Sequence, residues 1–155
     1  MPGTTTAWLG ARVVAGCSSD AEELRRWARG QDLPEGLTDF VRSVMPSIRN
    51  DVHELESLLM ANPILRSRFV GVGEVSLAGA MALGLTGPCV RAAGYPLDMR
   101  RIRPYCGYET YDFEVPVYDR SDCYNRLRVR FDECYQSLKI ISQALDRLDE
   151  ITARG

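Results

Sequence analysis

Apolar positions fall on their clearest beat towards the end of the chain. Tyr124, Leu127, Phe131, Cys134, Leu138, Ile141, Leu145 and Leu148 recur at alternating steps of three and four. That spacing aligns side chains along one seam of an α-helix. Ser121 or Asp122 stands where an N-cap belongs, and Arg128 and Asp132 lie four apart on the flank. The seam is short for a free coiled coil and predicts a helix buried in a bundle. A second amphipathic run starts at Thr38 and carries Phe40, Val44, Ile48, Val52, Leu55 and Leu59 on one face. Pro46 predicts a kink or restart within it, and Asn62-Pro63 ends it. A shorter helix is expected from Ser76 to Leu83, stopped by Gly84. Near the N-terminus, Ser18 or Ser19 is expected to cap a helix to about Arg29, with Leu33-Pro34-Glu35-Gly36 as a turn.

Between Leu85 and Val117 both periodicities stop. The segment is rich in Gly, Pro, Tyr and Arg. Long irregular segments in compact domains are functional or disordered, and its tyrosines and apolar residues argue against disorder. It is expected to form an ordered, tightly packed surface. Its last part, Tyr111 to Val117, alternates and predicts a short strand. The fold class is therefore mostly α: a helical bundle with a Gly/Pro/Tyr-rich irregular central segment and at most a short strand. A length of 155 residues suits one domain.

Composition narrows the chemistry. The net charge of −2 supplies no global field for nucleic acid or an anionic membrane. Five cysteines at 17, 89, 106, 123 and 134 include no Cys-x-x-Cys, and His53 is the only histidine. That set speaks against a zinc or iron–sulfur site built from this chain alone, so the metal ligand set is empty. The thiols are expected to be reduced, as in a cytosolic protein. No run approaches the ~20 apolar residues of a membrane span. Val13 to Cys17 looks like a lipoprotein cleavage box, but Arg12 interrupts the apolar run, so no signal peptide is expected.

Several motif fragments reduce to structure. His53-Glu54-Leu55-Glu56-Ser57 lacks the second histidine of a zinc-protease helix, and His53 is expected on a solvated face. Gly71-Val72-Gly73-Glu74-Val75-Ser76 lacks the third glycine of a dinucleotide loop and is expected to be a turn feeding the short helix. Asp132 and Glu133 are adjacent, diverge by about 100° on a helix, and are expected on a solvated face. In the irregular segment Arg91, Arg100, Arg101 and Arg103 are matched by Asp98, Glu109, Asp112 and Glu114. This balance predicts internal ion pairs around packed Tyr95, Tyr105, Tyr108 and Tyr111, a rigid surface suited to a subunit interface or a cavity wall.

These residues also resemble a known family. The motifs are Gly71-Val72-Gly73, Leu85-Thr86-Gly87-Pro88 with Arg91-Ala92-x-Gly94, and Asp98-Met99-Arg100-Arg101. Pro104-Tyr105-Cys106-Gly107-Tyr108-Glu109-Thr110-Tyr111-Asp112-Phe113 through Val115-Pro116 is the most specific. Asp122-Cys123-Tyr124 and Gln136 to Ile141 continue the series, and Asp32-Leu33-Pro34 and Asn62-Pro63-Ile64 fit upstream. Together they are similar to the 49-kDa or D-type large subunit of NADH–quinone oxidoreductase, respiratory complex I, over residues 31–150, with 1–30 poorly matched.

The resemblance implies a fold related to the nickel–iron hydrogenase large subunit. It implies a place in the quinone module, where electrons from NADH, oxidised in another subunit, pass through iron–sulfur clusters to quinone. The implied partners are other complex I subunits, above all the small iron–sulfur subunit, together with quinone. No nucleic acid is implied. The implied location is peripheral, on the cytoplasmic side of the cell membrane. No cofactor is expected on this chain alone. The family's quinone-binding His, Tyr and Asp have no counterpart here, and its Glu-Glu-Met-Arg reads Asp132-Glu133-Cys134-Tyr135. No catalytic residue is therefore carried over. Arg91, Asp98, Arg100, Tyr105 and Tyr108 are expected to scaffold the quinone cavity. The isolated chain is expected to be inactive, a central fragment, truncated reading frame or divergent paralogue. The alternatives are a non-catalytic structural or assembly role, or a fragment of a membrane-bound nickel–iron hydrogenase large subunit.

Overall fold

The long C-terminal helix organises the structure, a computed structural model that describes residues 36–154. The geometry below belongs to one unit that begins at Thr38. Six helices occur among the described residues: α1 (Leu37–Ala61), α2 (Pro63–Phe69), α3 (Leu77–Ala82), α4 (Pro88–Ala92), α5 (Met99–Ile102) and α6 (Cys123–Arg154). One 3₁₀ turn spans Tyr108–Thr110. The expectations for residues upstream of Gly36, including the Ser18/Ser19-capped helix, lie outside the described residues.

Helix α6 starts where its cap allows. Asp122 is almost fully buried; one carboxylate oxygen accepts from Asn125 N at 2.8 Å, the other from Gly71 N at 2.9 Å. It thus caps the helix and anchors the preceding turn to it. Ser76 caps α3 by accepting from Gly79 N at 3.1 Å, so the glycine-rich stretch before it is a turn feeding that helix. Gly73 there has φ +61°, and a Cβ would lie 3.0 Å from the Arg126 guanidinium. Arg126 itself donates to Gly73 O and Ser121 O. Helix α1 runs unbroken through Pro46, neither restarting nor ending there.

The apolar seam on α6 is half right. Phe131, Leu138 and Leu145 are buried, but Cys134 and Ile141 are exposed. Val129 and Ile140, which lie off the seam, are buried instead. Val129, Gln136, Ile140, Gln143 and Arg147 form a second stripe at steps of seven, four, three and four, well round the helix from the first at about 100° per residue. The irregular segment covers this second stripe. Helix α1 runs antiparallel to α6 on another side: Arg42 reaches Asp146 and Asp149, and Glu56 accepts from Tyr135. Burial is concentrated around α6, and no residue of α1 is buried.

The expected strand from Tyr111 to Val117 does not form. Among the described residues there is no strand, only an isolated antiparallel bridge between Val75 and Ser121. Part of the stretch hydrogen-bonds to glutamines of α6 instead. Gln143 Oε1 accepts from Asp112 N at 2.8 Å while its Nε2 donates to Asp112 O at 2.7 Å. Gln136 Oε1 accepts from Glu114 N at 2.9 Å. Backbone polar groups need partners, and here side chains of a helix provide them.

Candidate functional site: an arginine–tyrosine wall

The segment from Leu85 to Val117 winds through α4, α5 and the 3₁₀ turn before lying along α6. Gly87 at φ +66° turns the chain into α4, with Pro88 at its first position. Asp98 caps α5 by accepting from Arg100 N at 2.9 Å. Cys106 at φ +51° and Gly107 at φ +81° form a left-handed corner. Such a conformation costs a non-glycine residue energy, so the surrounding contacts must hold it.

Four of the five expected scaffold residues form one connected cluster along this segment, and Arg91 stands apart. Arg100 pairs with Asp98 through two nitrogens, the shortest contact 2.6 Å. Burial raises the Asp98 carboxyl, but the hydrogen bonds from Arg100 and its charge outweigh that, leaving it below its ordinary value of 3.8. Arg100 also lies over the Tyr108 and Phe113 rings, at 5.8 and 4.9 Å from their centroids. Tyr108 meets Tyr105 edge-on at 5.1 Å and Tyr111 at 6.1 Å. Arg91 turns the other way: its Nη1 donates to Leu97 O at 2.7 Å and its guanidinium pairs with Glu133. It ties the wall to α6.

Several of the wall's contacts were not legible from the sequence. Arg101 donates to Phe113 O and stacks on its ring at 4.1 Å. Arg147 donates to Thr110 and stacks on Tyr111 at 4.1 Å. Lys139 pairs with Asp112 at 2.7 Å. Tyr118 donates to Asp132 at 2.6 Å, and Arg128 stacks on its ring at 4.3 Å. Burial, reinforced by the Asp132 bond, pushes the Tyr118 phenol up to about 12. The expected internal ion pairs thus form within the segment only at Asp98–Arg100; the others named reach α6. Asp132 and Glu133 diverge as expected, but both are half-buried rather than solvated. His53 is on an exposed face. The second stripe was the available signal for the Arg147, Gln136 and Gln143 contacts, masked because two of its members are glutamines.

No three His, Cys, Asp or Glu side chains gather as a metal site among the described residues. Cys89, Cys106, Cys123 and Cys134 are free, and no step through an iron–sulfur cluster follows from this donor set. No helix among the described residues is long and apolar enough to cross a membrane.

The described helices thus carry a wall of guanidinium-stacked aromatic rings. Residues 29–154 match the family model described as respiratory-chain NADH dehydrogenase, 49 Kd subunit, and the chain belongs to that family. The D-type subunit of NADH-quinone oxidoreductase from Nocardioides sp. is 45% identical over 136 residues, 88% of this chain and 30% of the relative. Its counterpart from Acidothermus cellulolyticus is 52% identical over 118 residues, 76% of this chain and 27% of the relative. A D-type subunit from Streptomyces avermitilis is 44% identical, covering 88% and 31%. The chain therefore spans about 30% of the length of the curated relatives it matches.

Proposed function

We propose that this chain is part of the quinone-module large subunit of an NADH–quinone oxidoreductase and supplies a wall of the quinone cavity rather than reacting groups. Electrons from NADH, oxidised in another subunit, reach quinone through iron–sulfur clusters held by neighbours, above all the small iron–sulfur subunit. The complex sits on the cytoplasmic side of the cell membrane, with this part peripheral. Arg91, Asp98, Arg100, Tyr105 and Tyr108 shape the wall. One observation carries the reading: the segment bearing the most specific family motif is the one whose arginines, carboxylates and rings interlock. Interlocking holds an aromatic surface still without a regular backbone, as a cavity wall requires. The NADH–quinone names of the relatives favour this over a nickel–iron hydrogenase large subunit.

A second reading, a structural or assembly role without catalysis, is favoured by the arginine contacts made inside the chain. The test is co-expression with the small iron–sulfur subunit followed by affinity purification. Stoichiometric co-elution is expected, and its absence sinks the subunit reading. The isolated chain should show no quinone-dependent NADH oxidation. Activity by the purified chain alone would overturn the scaffold assignment. Co-elution without activity in a complex reconstituted around this chain would favour the second reading.

A further inference from the structure

Helices α1 and α6 leave an open groove of about 550 Å³ between them, which meets the arginine–tyrosine wall at Gln136 and Lys139. That volume lies in the range of small-molecule sites. Its apolar lining comes from Met45, Pro46 and Leu138, and its charged lining from Arg49 and Lys139, with no carboxylate among the lining residues. Arg49 makes no hydrogen bond or ion pair with the described residues. The Lys139 ammonium is held only by Asp112, in an exposed pair whose partners retain 46% and 79% of their side-chain surface. Exposed pairs of this kind hold weakly, so the ammonium is available to a better-placed anion. Gln136 has its oxygen occupied by Glu114 N, which fixes it at the groove's edge.

Two cations beside an apolar trough are complementary to an anion with a hydrocarbon body. We propose that this groove binds a single-chain amphiphilic carboxylate of the fatty-acid type. Its headgroup lies between Arg49 and Lys139, and its chain lies along Met45, Pro46 and Leu138. Guanidinium matches a carboxylate in two-point geometry. A two-chain phospholipid is larger than the groove, and a neutral quinone leaves both cations unanswered. The proposal is therefore independent of the quinone-module reading.

The experiment is calorimetric titration of the full chain with dodecanoate below its micellar concentration. Saturable binding at one site is expected. Arg49→Gln and Lys139→Gln should each weaken it by about tenfold, and Met45→Trp, which fills the trough, should abolish it. Circular dichroism checks each variant's fold. Arg49→Gln removes an exposed side chain that makes no hydrogen bond or ion pair with the described residues, so it keeps the test decisive if Met45→Trp misfolds. The proposal is overturned if dodecanoate does not saturate, if both glutamine variants bind like the parent, or if dodecyltrimethylammonium binds equally well.

Discussion

Gln143 shows how much one side chain decides here. It makes two hydrogen bonds to the main chain of Asp112, one as acceptor and one as donor. Gln143→Ala removes both and should cost about 1–2 kcal/mol in urea unfolding, with faster hydrogen exchange at the Asp112 amide. Unchanged exchange there would mean the segment is held by its rings alone. Phe113, 2% exposed, lies under two guanidinium groups. Phe113→Ala should cost about 3–5 kcal/mol, the range for buried aromatic truncation. At Asp98 the sign of the pH effect follows from its lowered carboxyl. A carboxylate held below its unfolded value stabilises the fold above that value, and the contribution disappears as pH falls through the folded value. The parent should lose stability from about pH 3.8 downward, and Asp98→Asn should flatten that part of the acid-unfolding profile. Equal acid slopes would remove Asp98 from the account.

At the scale of elements, the sequence was read best where one face meets one neighbour. The α6 seam announced a helix, and Asp122 announced its start. The second face stayed hidden because its contacts are polar: Gln136, Gln143 and Arg147 bond to main-chain groups that no hydrophobic pattern records. The alternation at Tyr111 to Val117 reported a surface with two sides, one of them carrying buried Phe113, and said nothing about a ladder partner. The short helices α2, α4 and α5 escaped because four to seven residues are too few to show a 3.6-residue period. Asp98, Arg100, Tyr105 and Tyr108 do meet in the segment where charges and rings alternate densely, whereas Arg91 turns to α6. Polar contacts tie helix α1 to α6 at both ends, Arg42 to Asp146 and Asp149 and Glu56 to Tyr135. Its Tyr135–Glu56 bond, helped by burial, pushes the Tyr135 phenol up to about 12. A raised phenol stabilises the fold below its ordinary value of 10.0 and loses that contribution as pH rises towards 12. Tyr135→Phe should therefore speed exchange of α1 amides while leaving those of α6 protected. A uniform change across both helices would contradict the polar attachment.

Within the unit that begins at Thr38, the helical pair exposes several large apolar side chains. Phe40, Ile48, Leu55 and Leu58 of α1 and Ile141 and Ile151 of α6 are exposed. Large apolar patches mark interaction surfaces or aggregation sites. The isolated chain should therefore self-associate at micromolar concentration in analytical ultracentrifugation. A monodisperse monomer that melts cooperatively would count against a surface that needs covering.

The glutamine-held stretch has a consequence for how such a sequence varies. Where a strand runs in a sheet, its path depends on a neighbouring backbone. Here part of the path depends on residues 136 and 143, which grip main-chain atoms and are indifferent to the side chains those atoms carry. Substitutions at the outward positions 112 and 114 can therefore redecorate the surface while its course stays put. A change at 136 or 143 moves the course while leaving the decoration intact. Mutational tolerance is thereby split between two distant stretches of chain: freedom of chemistry lies at the outward positions 112 and 114, and constraint on shape lies in the helix beneath them.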